Sequence, residues 1–200
     1  MIDSNIKEAD GVASIGQDAF QSGYLAGRLV CYNATSENNV LILKITREIE
    51  STSVYLQRIK GFYSFFEDHK EYGNFKFSEI QLKDKGKKHL NVKIFEGINT
   101  IFIPNSRSYI VAEFLKENGL NSIRLVGYDL LQENVKYLKE GTIDFLINQK
   151  PEQQGYLGVE HLYKKVILNE NVETTYYIPL DIIIKENFSK LNLMDSLFSC

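Results

Sequence analysis

Cysteine is scarce in this chain of 200 residues, with Cys31 and Cys200 the two present. A structural zinc site needs about four ligands, which two distant thiols do not supply. Nothing in their spacing predicts a disulfide, so we expect a free thiol within a helix at Cys31 and a second free thiol at the last residue. Sparse cysteine also favours a reducing compartment.

Long apolar runs and a charge excess of one sign are both absent. No apolar stretch approaches the roughly 20 residues of a membrane span. The first five residues (Met-Ile-Asp-Ser-Asn) have neither the charged segment nor the apolar run of a signal peptide. The 23 basic and 26 acidic side chains give a formal charge of -3. This balance excludes the basic surface that binds nucleic acid, so DNA contact is expected only through a segment outside these residues.

Catalytic and metal-binding motifs are missing as well. The sequence has no Gly-x-Ser-x-Gly nucleophile turn and no Gly-x-x-x-x-Gly-Lys-Ser/Thr phosphate loop. Its three histidines, His69, His89 and His161, lack the spacing of metal ligands. We therefore predict that the protein is not an enzyme and uses neither a cofactor nor a metal.

What the chain does contain is an alternation of short apolar runs with helical periodicity. The runs predict five strands, at residues 40–45, 75–82, 100–103, 123–126 and 143–147. Helices are predicted after Asp18, after Ser51 and Thr52, and after Asn105 and Ser106. Two more are predicted, one from Leu131 to Glu140 that is closed by Gly141 and one that opens at Pro151. Continuous apolar runs are typical of parallel strands covered on both faces. The pattern predicts an α/β fold with a doubly wound, mostly parallel five-stranded sheet flanked by helices.

Two further predictions concern the last third of the chain. The helix that opens at Pro151 has an apolar stripe of four residues; they are Val159, Leu162, Tyr163 and Val166. The stretch over residues 174–184 is expected to be extended.

Short polar side chains follow three of the predicted strands. Asn105, Asp129 and Gln149 come after the third, fourth and fifth strands. Ligands of doubly wound sheets bind beyond the carboxyl ends of the strands. Amides donate and accept hydrogen bonds and carboxylates accept them, which suits the vicinal hydroxyls of a polyol. The alternative is structural, because Asn and Asp are also preferred helix N-caps.

Five motifs, in order, resemble the second lobe of type-I periplasmic binding proteins, a module shared by the lactose/galactose-repressor (LacI/GalR) transcription regulators. They are Ser-Ile-Gly-Gln-Asp-Ala-Phe-Gln-Ser-Gly (14–23), Arg-Ile-Lys-Gly-Phe (58–62), Ile-Pro-Asn-Ser (103–106), Val-Gly-Tyr-Asp (126–129) and Ile-Asn-Gln-Lys-Pro-Glu-Gln-Gln-Gly (147–155). The resemblance covers about residues 12–184.

The resemblance implies ligand-binding roles for Asn105, Asp129 and Gln149. The family often has an arginine five residues before the glycine of its Gly-Phe pair, where this chain has Leu56. Arg58, three residues before that glycine, or Tyr55 is expected to contribute instead.

The resemblance also implies a division of the chain. Residues 1–17 would form a crossover segment between two lobes, residues 18–170 the ligand-binding lobe, and residues 171–200 a returning crossover segment and tail. The family has a first lobe before this region, and its repressors carry a DNA-binding head. We therefore expect either an excised fragment or a truncated reading frame.

The function implied is that of a cytoplasmic domain of a LacI/GalR-type regulator that senses a small molecule, a sugar in this family, and can form a homodimer. The alternative is a periplasmic sugar-binding protein of a transport system.

Overall fold

The computed structural model describes residues 14–32, 34–35, 37–46, 53–83 and 86–188. The strands are β1 (Ser14–Gly16), β2 (Asn38–Thr46), β3 (Phe75–Lys83), β4 (Thr100–Phe102), β5 (Arg124–Tyr128), β6 (Phe145–Asn148), β7 (Thr175–Tyr177) and β8 (Asp181–Ile183). The helices are α1 (Ala19–Val30), α2 (Ser53–Asp68), α3 (Ser108–Glu117), α4 (Gln132–Glu140) and α5 (Pro151–Val166). Short 3-10 turns cover Lys70–Tyr72, Gly86–His89 and Val92–Phe95.

The main sheet has six strands in the order β3-β2-β4-β5-β6-β8. The first five are parallel, and β8 pairs antiparallel with β6. All five predicted strands are therefore present, as the parallel strands of one sheet. The sheet has one strand more than predicted, because the extended segment after Pro179 returns along the edge of β6. Three residues at an edge are too few to produce a recognisable apolar run.

Helices cover both faces of this sheet, as the doubly wound pattern predicts. Along β2, Leu41 and Leu43 join the core cluster with α3 and α4, whereas Val40 and Ile42 join the one with α1 and α2. Side chains alternate between the faces of a strand, so a strand buried on both faces is apolar throughout. This explains why continuous apolar runs marked the strands.

The helix boundaries follow the predicted capping residues in part. The Asp18 side chain accepts a hydrogen bond from the Gln21 backbone at 3.0 Å and caps α1. Gly141 closes α4 in the left-handed conformation at φ 81°. The N-cap position of α3 is Arg107, and that of α4 is Leu131, so neither Asn105 nor Asp129 occupies a cap position. Ser51 and Thr52 lie outside the described residues, as do Cys200 and residues 1–13 of the predicted crossover segment.

A second, two-stranded parallel sheet is formed by β1 and β7. Helix α5 lies beside it, and the rings of His161 and Tyr176 are 5.5 Å apart. The predicted stripe of α5 is present, but its four members are 53–70% exposed. No α5 residue belongs to either core cluster of the described chain. The helical spacing of apolar residues predicts such a stripe. It does not reveal which surface, if any, packs against the stripe.

Helices α1 and α2 cross at very short range through Gly23 and Gly61. A Cβ at Gly23 would lie 1.9 Å from the Arg58 carbonyl oxygen, and a Cβ at Gly61 would lie 1.9 Å from that of Phe20. Only residues without a side chain allow this approach. The crossing brings the backbone of Arg58 against α1 and sets how far its side chain reaches over the sheet.

Candidate functional site

Arg58 extends from α2 to the carboxyl edge of the main sheet and is 7% exposed. Its guanidinium donates one hydrogen bond to the Pro104 carbonyl at 3.0 Å and a short one to the Gln149 side-chain oxygen. It also lies 4.0 Å above the centre of the Tyr128 ring. A planar guanidinium suits such stacking combined with directed hydrogen bonds.

Asp129 and Gln149 complete a continuous hydrogen-bonded chain with this arginine. The Gln149 side-chain nitrogen donates to an Asp129 carboxylate oxygen at 2.6 Å. The three side chains come from α2 and from the ends of β5 and β6. Two of the three strand-end residues singled out from the sequence are thus in contact, and Arg58 joins them. We call this set, Arg58, Gln149 and Asp129, the polar cluster.

The backbone at Asp129 has a strained conformation and is fixed by hydrogen bonds from a buried side chain. Its φ is 69°, a conformation unusual for a residue other than glycine. Asn134, fully buried on α4, donates to the backbone carbonyls of Asp129, Tyr128 and Ser106 at 2.9–3.1 Å and accepts from the Tyr109 backbone. These bonds fix the loop after β5. No pattern in the sequence predicts a role for Asn134, because a polar residue within a helix is ordinarily exposed.

Gln154 supports the Gln149 loop in the same way. It is 2% exposed on α5 and donates to the Gln149 backbone carbonyl at 2.7 Å. It lies within the fifth recognised motif, but no feature of the sequence assigned it a partner. Lys150, which follows, has φ 53° and pairs with Asp181 at 2.9 Å.

Asn105 is next to the cluster, but its side chain points to β2. Its amide donates to the Ile45 carbonyl at 2.7 Å, and its oxygen accepts from the Arg107 backbone at 3.2 Å. The carbonyl of Pro104, one residue earlier, contacts Arg58. The structure therefore places Asn105 on the expected edge without bringing its side chain into the hydrogen-bonded chain.

Tyr55 has a different environment. The Lys44 ammonium lies 4.0 Å from the centre of its ring, and burial, together with Glu79, raises the pKa of its hydroxyl to about 12. These neighbours belong to β2 and β3 rather than to the polar cluster. Its role in binding stays a prediction.

The Tyr128 ring, over which the Arg58 guanidinium lies, carries no charge near neutral pH. Burial raises the pKa of Tyr128, while the Arg58 charge and the hydrogen bond with Ser22 at 3.1 Å oppose that rise. The phenol therefore stays protonated near neutral pH.

Among the described residues, no group of three His, Cys, Asp or Glu side chains could hold a metal ion. The arrangement offers donors, an acceptor and an aromatic face, the contacts that hold a polar ring.

Residues 1–170 match the family described as periplasmic binding protein domain. The chain belongs to this family. The predicted resemblance to type-I periplasmic binding proteins is confirmed, and so is the α/β fold class. Within the described residues, no helix has the length and apolarity to cross a membrane.

Individual relatives of this periplasmic-binding-protein chain fall into two groups. The ribose import binding protein of Salmonella typhimurium is 28% identical over 192 residues, covering 92% of this chain and 62% of the relative. The crystal structure of a protein assigned as a LacI transcriptional regulator of Bacteroides fragilis is 33% identical, with a TM-score of 0.85, over 94% of this chain and 67% of the other.

A third relative is a periplasmic solute binding protein of an ABC transporter from Actinobacillus succinogenes, solved with bound D-allose. It is 25% identical with a TM-score of 0.79 and covers 94% of this chain and 70% of the other. These relatives are binding or regulatory proteins, not enzymes. The chain spans less than two thirds of the length of the ribose import relative.

Proposed function

We propose that this chain binds a sugar at the polar cluster and performs no chemistry on it. The observation that carries the proposal is the hydrogen-bonded chain of Arg58, Gln149 and Asp129 at the carboxyl edge of a parallel sheet, the edge where such sheets bind ligands. Relatives named for ribose import and solved with D-allose support a sugar as the ligand.

The chemistry of the cluster matches a pair of neighbouring hydroxyls. A carboxylate has about four acceptor positions, so Asp129 can accept from two hydroxyl groups. Arg58 and Gln149 donate to hydroxyl oxygens, and each hydroxyl then has one donor and one acceptor. Asn105 follows Pro104, whose carbonyl binds Arg58. We propose that the Asn105 amide also contacts the sugar when it turns away from the Ile45 carbonyl.

A ligand held on this edge alone would be open to solvent on its other side. We propose that a further α/β lobe packs over β1, β7 and α5 and closes the cleft. The exposed stripe of α5 supports this, because exposed apolar patches on soluble proteins usually mark a contact surface. Among the described residues β1 and β7 pair only with each other, and a parallel pair is rarely stable alone.

We further propose that the chain is the effector-sensing domain of a cytoplasmic LacI/GalR-type regulator. Such a regulator would contact DNA through a separate segment and dimerise through its lobes. The relative of 33% identity assigned as a LacI regulator supports it. A transport binding protein is the second candidate, favoured by the ribose import relatives. Both use ligand-driven closure of two lobes, and they differ in what the closed state contacts.

The binding proposal is tested with Asp129→Asn in the whole gene product. Asn keeps the left-handed backbone and can still accept from Gln149, so folding is expected to be retained. The loss of a charged acceptor costs about 1.5–3 kcal/mol per hydrogen bond, or at least a tenfold weaker affinity. Calorimetry with D-ribose, D-allose and other aldopentoses and aldohexoses measures this loss.

Asp68→Asn is the matched control, since Asp68 is exposed and accepts only a surface hydrogen bond from Tyr24 at 3.1 Å in the described structure. It should bind sugar as the parent protein does. Equal affinity of Asp129→Asn and the parent, or no binding of any sugar tested, would contradict the proposal. A gel-shift assay separates the two candidates, because sugar-dependent release of DNA is expected only of a regulator.

A further inference from the structure

The chain passes between its two sheets at three places. It leaves β1 for α1 through Gln17, leaves β6 for α5 through residues 149–150, and leaves β7 for β8 through residues 178–180. Each connection is only two or three residues long. Any rotation of the small sheet and α5 relative to the main sheet must take place in these three connections.

The side chain of Gln17, itself part of the first connection, reaches the end of the strand before the second connection and a residue of the third. The Gln17 amide nitrogen donates to the Asn148 carbonyl at 2.8 Å and to the Pro179 carbonyl at 3.2 Å. Its acceptors are 131 and 162 residues away along the chain, so only the tertiary fold brings them together. The first acceptor immediately precedes Gln149 of the polar cluster.

The other half of the same amide has no described partner. The Gln17 side-chain oxygen is buried and accepts no hydrogen bond from the described residues. An unpaired buried acceptor costs free energy, so this arrangement of the connections is not fully favourable. A second arrangement in which that oxygen meets a donor or water would relieve the cost. Two arrangements of similar free energy are what a hinge needs.

We propose that Gln17 is a positioning residue that ties the three connections together and thereby couples the setting of Gln149 to the orientation of the small sheet. The inference deepens the proposed sugar-binding function and rests on it for the coupling to ligand. Sugar binding at Gln149 would shift the Asn148 carbonyl, and Gln17 would pass that shift to the connections at Gly16 and Pro179.

The test replaces the donor without changing the shape. In Gln17→Glu the carboxylate cannot donate to either carbonyl and is repelled by both. Hydrogen exchange of the protein without sugar should then be three- to tenfold faster in peptides over 145–154 and 174–183, and unchanged over β2 and β5. Gln21→Glu is the control, because Gln21 is exposed on the first turn of α1.

The sugar arm uses D-ribose and D-allose. In the parent protein, binding should slow exchange in both sets of connection peptides, and in Gln17→Glu this slowing should be confined to 145–154. If exchange is faster in Gln17→Glu but neither sugar slows exchange in the parent protein, the proposed sugar binding is refuted and the structural role of Gln17 is supported. Exchange in Gln17→Glu equal to that in Gln21→Glu, or faster exchange spread equally over β2 and β5, would overturn the inference.

Discussion

Gly23→Ala is expected to damage stability and ligand binding together, because Gly23 lies against the backbone of Arg58. The added Cβ would lie 1.9 Å from the Arg58 carbonyl oxygen and 2.7 Å from its Cα, whereas carbon atoms pack at about 3.5–4.0 Å. The obstacle is backbone and cannot rotate away, so α1 and α2 must separate. Overpacking of this kind costs roughly 1–3 kcal/mol, and at a backbone contact we expect the upper end.

The higher helix propensity of alanine returns about 1 kcal/mol, which leaves a net loss of about 2 kcal/mol. The displaced α2 also carries Arg58 away from Gln149, and a shift of about 1 Å is enough to weaken a preorganised site. Urea unfolding followed by circular dichroism measures the first effect. Calorimetry with the sugar that the parent protein binds measures the second.

Gly155→Ala is the matched control for this variant. Gly155 is also helical, but nothing lies within 4 Å of the position of its added Cβ. In urea unfolding this substitution should stabilise the chain by about 0.4–1 kcal/mol, because alanine has less conformational freedom than glycine in the unfolded state. If the two variants have the same urea midpoint, the close approach of α1 and α2 at Gly23 does not constrain Arg58.

Two further substitutions test the interior. Asn134→Ala leaves the Tyr109 amide and the loop carbonyls without their hydrogen-bond partner. The free energy of unfolding in urea is therefore expected to fall by about 2–5 kcal/mol, and a fall of less than about 1 kcal/mol would contradict this. Burial raises the pKa of Asp144 above its usual 3.8, against the Leu125 amide and Arg124, so its contribution to stability falls as pH rises through the raised pKa. Asp144→Asn should therefore gain stability relative to the parent as the pH rises from about 3.8 to neutrality, and a constant difference would refute that sign.

The candidate site was predictable to the extent that it depends on strand ends. Parallel strands place their carboxyl ends on one edge, so Asp129 and Gln149 were expected near each other, and they are 2.6 Å apart. Asn105 follows the same rule for position but not for direction. Its amide binds the Ile45 carbonyl, and the rotation of a side chain is set by neighbours that no local pattern contains.

Local pattern alone determined the five parallel strands, the helices between them and the end of α4 at Gly141, because burial on both faces and capping leave marks on neighbouring residues. Tertiary structure alone decided three other things: that Arg58 reaches Gln149 through the crossing at Gly23, that the α5 stripe faces outward, and that Gln17 meets Asn148 and Pro179. These contacts join residues far apart in sequence. Their geometry comes from how whole helices and sheets pack, which the period of one segment does not encode.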